Sequence, residues 1–208
     1  MIFPKSDYNI LKLIYENPGI RLNELIKKAR ISAETSKKRL EHLLKLNIIT
    51  EKKIMGGKRT LLKNFYPNFQ SVEGKNAFSL IESEKKQEFY EKNKNLIGPF
   101  QQLLKNINNE LKVILIFGSF ASDNKTKDSD LDILFLTSKE TEKDILKKEI
   151  ERSFITFRNE ISPRIDTLNN FQKNINNDIY QTIIKNHVII KGNLEFIELI
   201  SKNMQILA

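Results

Sequence analysis

Residues 113–137 read VILIFGSFASDNKTKDSDLDILFLT. The apolar run Val113–Phe117 has the length and β-branched content of a buried strand. It breaks at Gly118-Ser119, crosses a polar loop, and re-enters an apolar run, Leu131–Leu136, that is interrupted by Asp132 and preceded by Asp130. Strand side chains repeat every two residues, so Asp130 and Asp132 point to the same face. Two carboxylates crowded on one face repel each other unless something cationic sits between them. Mg²⁺, which takes carboxylate and phosphate oxygens together, is the simplest such partner. This is the outline of a phosphoryl- or nucleotidyl-transfer site. Gly118 lets backbone N–H groups approach a triphosphate closely, and Ser119 adds a hydroxyl donor. Lys125 and Lys127 lie in the loop, either as phosphate contacts or as plain exposed lysines. The competing reading of Asp130 and Asp132 is an edge strand with a polar outer face.

The Gly-Ser pair, ten residues and then Asp-x-Asp, with Ser129 just before the first Asp, resembles the signature of the minimal nucleotidyltransferases. These belong to the DNA polymerase β superfamily, together with the kanamycin nucleotidyltransferases, and the resemblance covers roughly residues 95–208. Ala121 supplies the small residue that usually follows the Ser by two. The family then usually has Arg-Gly where this chain has Ser122-Asp123, which removes a cation and a flexible backbone position from the phosphate loop. The resemblance implies that Ser129 belongs to the nucleotide-binding signature. It also implies that Asp166, within ISPRIDTL at 161–168, completes the metal site and accepts the proton of the attacking hydroxyl. Glu160 is the reserve candidate.

The formal net charge of +9 is distributed unevenly. Residues 1–66 hold 15 Lys/Arg against 6 Asp/Glu, and residues 67–208 hold 20 of each sign. All the excess sits in the first third, so two domains are expected, the first facing a polyanion. The chain has no cysteine, which excludes disulfides and thiolate metal sites, and a cytoplasmic location is expected. No run approaches the ~18 consecutive apolar residues of a membrane span, and no signal-peptide pattern opens the chain.

Within that basic third, Ser6 or Asp7 is expected to cap a first helix carrying Ile10, Leu11, Ile14 and Tyr15 at helical spacing. A short second helix surrounds Leu25 and Ile26. Ser32 caps a third helix with Leu40, Leu43 and Leu44 as its buried stripe. Two strands, about 48–55 and 59–66, meet at Gly56-Gly57, a hairpin signal. Three helices and a basic hairpin resemble a winged helix-turn-helix domain. Thr35, Ser36, Lys37 and Lys38 would then reach bases or phosphates in the major groove. Lys52, Lys53, Lys58 and Arg59 on the wing would lie along the flanking backbone or minor groove. The plainer alternative is a protein-docking module whose lysines are merely solvated.

The expected fold class is α+β, with a winged helix-turn-helix domain at 1–66, a linker helix region at 67–97, and a nucleotidyltransferase-type mixed β-sheet flanked by helices at 98–208. The expected reaction is Mg²⁺-dependent transfer of a nucleoside monophosphate, AMP foremost, from an NTP such as ATP to a hydroxyl, with two Mg²⁺ ions. In the resembling family small members act as antitoxins that adenylylate a toxin. The expected partners are therefore double-stranded DNA, the triphosphate, a toxin protein as acceptor and a second copy in a homodimer, with no membrane. The rival function is a non-catalytic DNA-binding regulator whose C-terminal half senses nucleotides or dimerises.

Overall fold

In the computed structural model, residues 3–56, 60–107, 111–122, 124–140 and 143–204 are described. The chain divides into two compact units, one ending at Ile81 and the other beginning at Glu82.

The first unit contains α1 (Lys5–Glu16), β1 (Ile20–Arg21), α2 (Leu22–Ala29), α3 (Ala33–Lys45), β2 (Ile49–Gly56) and β3 (Thr60–Pro67). The apolar stripes meet as their spacing requires: Ile10, Leu11 and Ile14 of α1, Leu25 of α2, and Leu40 and Leu43 of α3 are all buried. The strands form an antiparallel sheet ordered β1-β3-β2, with Ile20 opposite Phe65 and Thr50 opposite Tyr66. Ser32 caps α3 by accepting from the Thr35 backbone N–H at 3.1 Å. The start of α1 differs from expectation. Its N-cap is Pro4, and Asp7 is buried inside the first turn, 3.4 Å from Arg39 of α3. A carboxylate in that place ties α1 to α3 instead of capping.

The expected linker is divided between the two units. Phe69 and Phe78 pack on Tyr15, the Tyr15 and Phe78 rings stacking at 5.3 Å. The helix α4 (Val72–Lys92) then continues past Ile81, and its later residues Glu82 and Phe89 are buried in the second unit.

That second unit holds, after a 3₁₀ turn at Lys94–Leu96, α5 (Ile97–Asn106), β4 (Leu111–Ile116), α6 (Gly118–Ala121), β5 (Leu131–Thr137), α7 (Lys143–Ser153), β6 (Ile161–Thr167), α8 (Leu168–Lys173), α9 (Asp178–Lys185), β7 (Val188–Lys191) and α10 (Asn193–Met204). The sheet is mixed, ordered β6-β5-β4-β7, with β5 and β6 parallel and the other pairs antiparallel. Leu131, Ile133 and Phe135 join Phe100, Leu103, Leu146, Ile150 and Phe154 in one core. Leu134 and Leu136 point the opposite way and are also fully buried, so both faces of β5 are covered. Only the first turn of β5, where Asp132 sits, opens outward.

Candidate active site

β4 delivers the chain to Phe117, whose N–H donates to the Asp132 carbonyl at 3.1 Å. The next residue, Gly118, has φ +69°, and a Cβ there would lie 2.3 Å from Asp132 Oδ2. Sterics and backbone angle therefore both demand glycine, because the turn is pressed against the Asp132 carboxylate. Ser119, partly buried, follows in the four-residue α6. Ser122 turns its hydroxyl back onto the Gly118 and Ser119 carbonyls at 3.0 and 3.3 Å, closing the turn. Asp123 lies outside the described residues. Gly118→Ala is expected to displace the Asp132 carboxylate and to cost about 1–2 kcal/mol from the left-handed backbone alone. A melting curve beside a Mg²⁺-dependent nucleotide-binding titration checks this; a variant that melts and binds like the parent refutes the tight contact.

The two acids interact electrostatically. Burial raises the Asp132 carboxyl above its ordinary range, the neighbouring charge on Asp130 raises it further, and a hydrogen bond with Ser162 opposes both. Asp130 itself is exposed and lines an open hollow with Asn95, Lys127, Arg158 and Glu160. Ser129 is occupied in bracing the loop below that hollow: its Oγ accepts from the Thr126 N–H at 2.8 Å, and its carbonyl accepts from Asn159 at 3.0 Å. Lys125 bonds to Asn93 and lies 4.9 Å from the centre of the Phe120 ring.

The structure does not bring Asp166 to this pair. On the parallel strands Asp132 is opposite Ser162, and Asp166 is opposite Leu136. Four residues of strand amount to roughly 13 Å. Asp166 is buried and fully engaged, accepting from the Thr167 N–H at 2.7 Å, from Asn170 Nδ2 at 2.8 and 2.9 Å, and from the Tyr180 hydroxyl. Sequence context brings Asp166 to the acid pair, but the register of β6 on β5 puts a serine opposite Asp132 and Asp166 opposite Leu136. Among the described residues, no group of three or more acidic or histidine side chains could hold a metal ion. The donor set that remains, two mutually repelling carboxylates with one oxygen against a backbone turn, suits a divalent cation shared with an anionic ligand. It lacks the third carboxylate of the expected two-ion arrangement.

On the first unit, Thr35 is exposed and its hydroxyl hydrogen-bonds to Ser32 at 2.8 Å. Lys37 and Lys38 are exposed, Lys38 pairing with Glu34 at 2.8 Å. Ser36 is a correction: it is 0% exposed, because it precedes Leu40 and Leu43 on the inward stripe of α3. On the wing, Lys52 sits 5.6 Å from the Tyr66 ring centre and Lys53 is 3.9 Å from Glu51, both outward. Lys58 and Arg59 lie outside the described residues. Nothing in the sequence marks Ser162, Arg164 or Tyr180; strand register sets Ser162 opposite Asp132 with Arg164 two residues on, and α9 sets Tyr180 against Arg164 and Asp166.

Comparison with known proteins agrees with both halves. Residues 100–195 match the family model described as polymerase beta, nucleotidyltransferase, and residues 4–50 match that of a winged helix-turn-helix DNA-binding domain. No curated protein and no solved structure matches the chain.

Proposed function

We propose, from the premise that this chain joins a winged helix-turn-helix DNA-binding domain to a nucleotidyltransferase-family domain, that it transfers a nucleoside monophosphate from an NTP to a hydroxyl acceptor and regulates its own operon through DNA. AMP from ATP is the favoured group, and a toxin protein the favoured acceptor. The single observation that carries the transfer reading is the Asp132 carboxylate seated against the Gly118 turn and feeling the charge of Asp130.

Charge neutralisation and in-line placement supply most of the catalysis in such a transfer. The acceptor oxygen forms a bond to the α-phosphorus as the bond to the β-phosphate oxygen breaks, and pyrophosphate leaves. Asp130 and Asp132 would hold Mg²⁺, which supplies positive charge to the triphosphate and acidifies a hydroxyl. Gly118 leaves room for the phosphates to reach backbone N–H groups. Mg²⁺ with α-labelled ATP and the product of the neighbouring gene tests the reading: label should move to protein.

A non-catalytic nucleotide sensor is the second reading, favoured by the engagement of Asp166 elsewhere and by the capping role of Ser122. Saturable ATP binding with no transfer to any acceptor would select it.

For the first unit, α3 enters the major groove with Lys37 and Lys38, and Lys52 and Lys53 follow the backbone. Lys37→Ala is expected to weaken duplex binding at all sequences and to lower the log–log salt slope by about one. Ser36→Ala, an interior change, should leave base preference unaltered. Fluorescence anisotropy across a salt series reads both, and a flat salt response contradicts the assignment. The same reading puts the protein in the cytoplasm with its DNA and triphosphate, and as a homodimer, the form in which helix-turn-helix proteins read two half-sites. No helix among the described residues is long and apolar enough to cross a membrane.

A further inference from the structure

We propose that Arg164 is the cation that receives the triphosphate at this site. The inference rests on the nucleotide-transfer reading above and adds the group that its geometry lacks. A triphosphate carries more negative charge than one divalent ion neutralises, and the acid pair contributes none of the deficit. A second cation has to stand on the same face as Asp132.

Strand register places one there. Ser162 is opposite Asp132 and hydrogen-bonds to it, so the two side chains share a face. Arg164 follows by two residues on the same strand and shares that face, roughly 7 Å further along. β6 is the outermost strand of the sheet, and Arg164 is exposed on it. Lys127 and Arg158 line the hollow beside Asp130, where Asp128 and Glu160 already oppose their charge. Lys125 is spent on Asn93 and Phe120.

The guanidinium is also held ready. Its central carbon lies 5.3 Å from the centre of the Tyr180 ring, and the group also hydrogen-bonds to the Tyr180 hydroxyl. The Tyr180 hydroxyl donates to Asp166, which Asn170 and the Thr167 backbone hold in turn. Asp166 and Tyr180 are thus positioning residues, a buried anchor and a ring that limit where the arginine can point. A cation ordered before its ligand arrives loses less freedom on binding, and its planar fork suits phosphate oxygens.

Calorimetric titration of the full chain with ATP, ADP, AMP and adenosine in Mg²⁺ tests this. Parent affinity should climb with phosphate number. Arg164→Gln should weaken ATP about tenfold or more while leaving adenosine unchanged, and Arg164→Lys should recover part of the loss. Tyr180→Phe, which keeps the ring but cuts its hydroxyl's ties to both Asp166 and Arg164, should give a smaller loss confined to the phosphorylated ligands. Circular dichroism confirms that each variant is folded. If Arg164→Gln binds ATP as tightly as the parent, the assignment of Arg164 is wrong while the transfer reading stands. If the parent itself binds ATP no better than adenosine, the transfer reading fails and takes this assignment with it.

Discussion

Asp132→Asn is expected to lower nucleotide transfer by roughly 10³-fold or more while slightly raising the melting midpoint at neutral pH. The first effect follows from removing the carboxylate that lies against the Gly118 turn, where it would hold the cation that neutralises the triphosphate. The second follows from the sign of its titration. The Asp132 pKa is raised in the folded chain by burial and by the charge on Asp130. A carboxyl raised on folding favours the folded state below its unfolded pKa, and that advantage is lost as pH rises through the folded value. At neutral pH the ionised side chain is therefore a burden, and neutral Asn removes it. Because Asp132 is only partly buried, solvent screens the effect, and a rise on the order of a degree or two is expected. Asp130→Asn should relieve Asp132, so in the metal-free protein the Asp132 carboxyl, followed by NMR, titrates at lower pH than in the parent. Label transfer that survives Asp132→Asn, or a midpoint that falls by several degrees, would place the chemistry or the strain elsewhere.

Glu82→Ala should destabilise the second unit by about 3–5 kcal/mol, since it strips the counter-charge from buried cations. Glu82 on α4 is 0% exposed, with His187 Nε2 at 3.2 Å and Lys85 Nζ at 3.0 Å from the same oxygen. His187 Nδ1 meanwhile faces the Ile183 and Ile184 carbonyls at 3.0 Å each and donates to them, which turns Nε2 toward Glu82. Burial alone would push the Glu82 carboxyl up; the charges of His187 and Lys85 outweigh it and hold the group at about 2. The folded pKa lies below the unfolded one, so this contribution is complete above the ordinary carboxylate range and disappears as pH falls toward 2. Thermal melts of the parent and Glu82→Gln, a closer isostere, should converge over that window. A Glu82→Ala variant within about 1 kcal/mol of the parent would mean that the cluster relaxes into solvent.

Legibility differed along the chain for physical reasons. Helical stripes and the hairpin of the first unit were visible because each is a local pattern with a period of its own. Ser36 lies inward with Leu40 and Leu43 by the same period, although a polar residue at a helix start suggests an exposed one. α4 read as a linker because charge dominates its later turns, yet its apolar residues are buried in both units. Asp166 was placed by motif context, and motif context carries no strand register.

What the amino-acid sequence by itself determined is the presence of a basic helical module and a mixed sheet, and the meeting of Gly118 with Asp132, which feels the charge of Asp130. These depend on periodicity, charge asymmetry and the two-residue repeat of a strand, all of which act over short stretches of chain. Tertiary structure alone decided what stands opposite Asp132. The alignment of β6 on β5 is set by burial across the whole sheet, and it delivers a serine and an arginine to the open face while sending the expected third acid into the core.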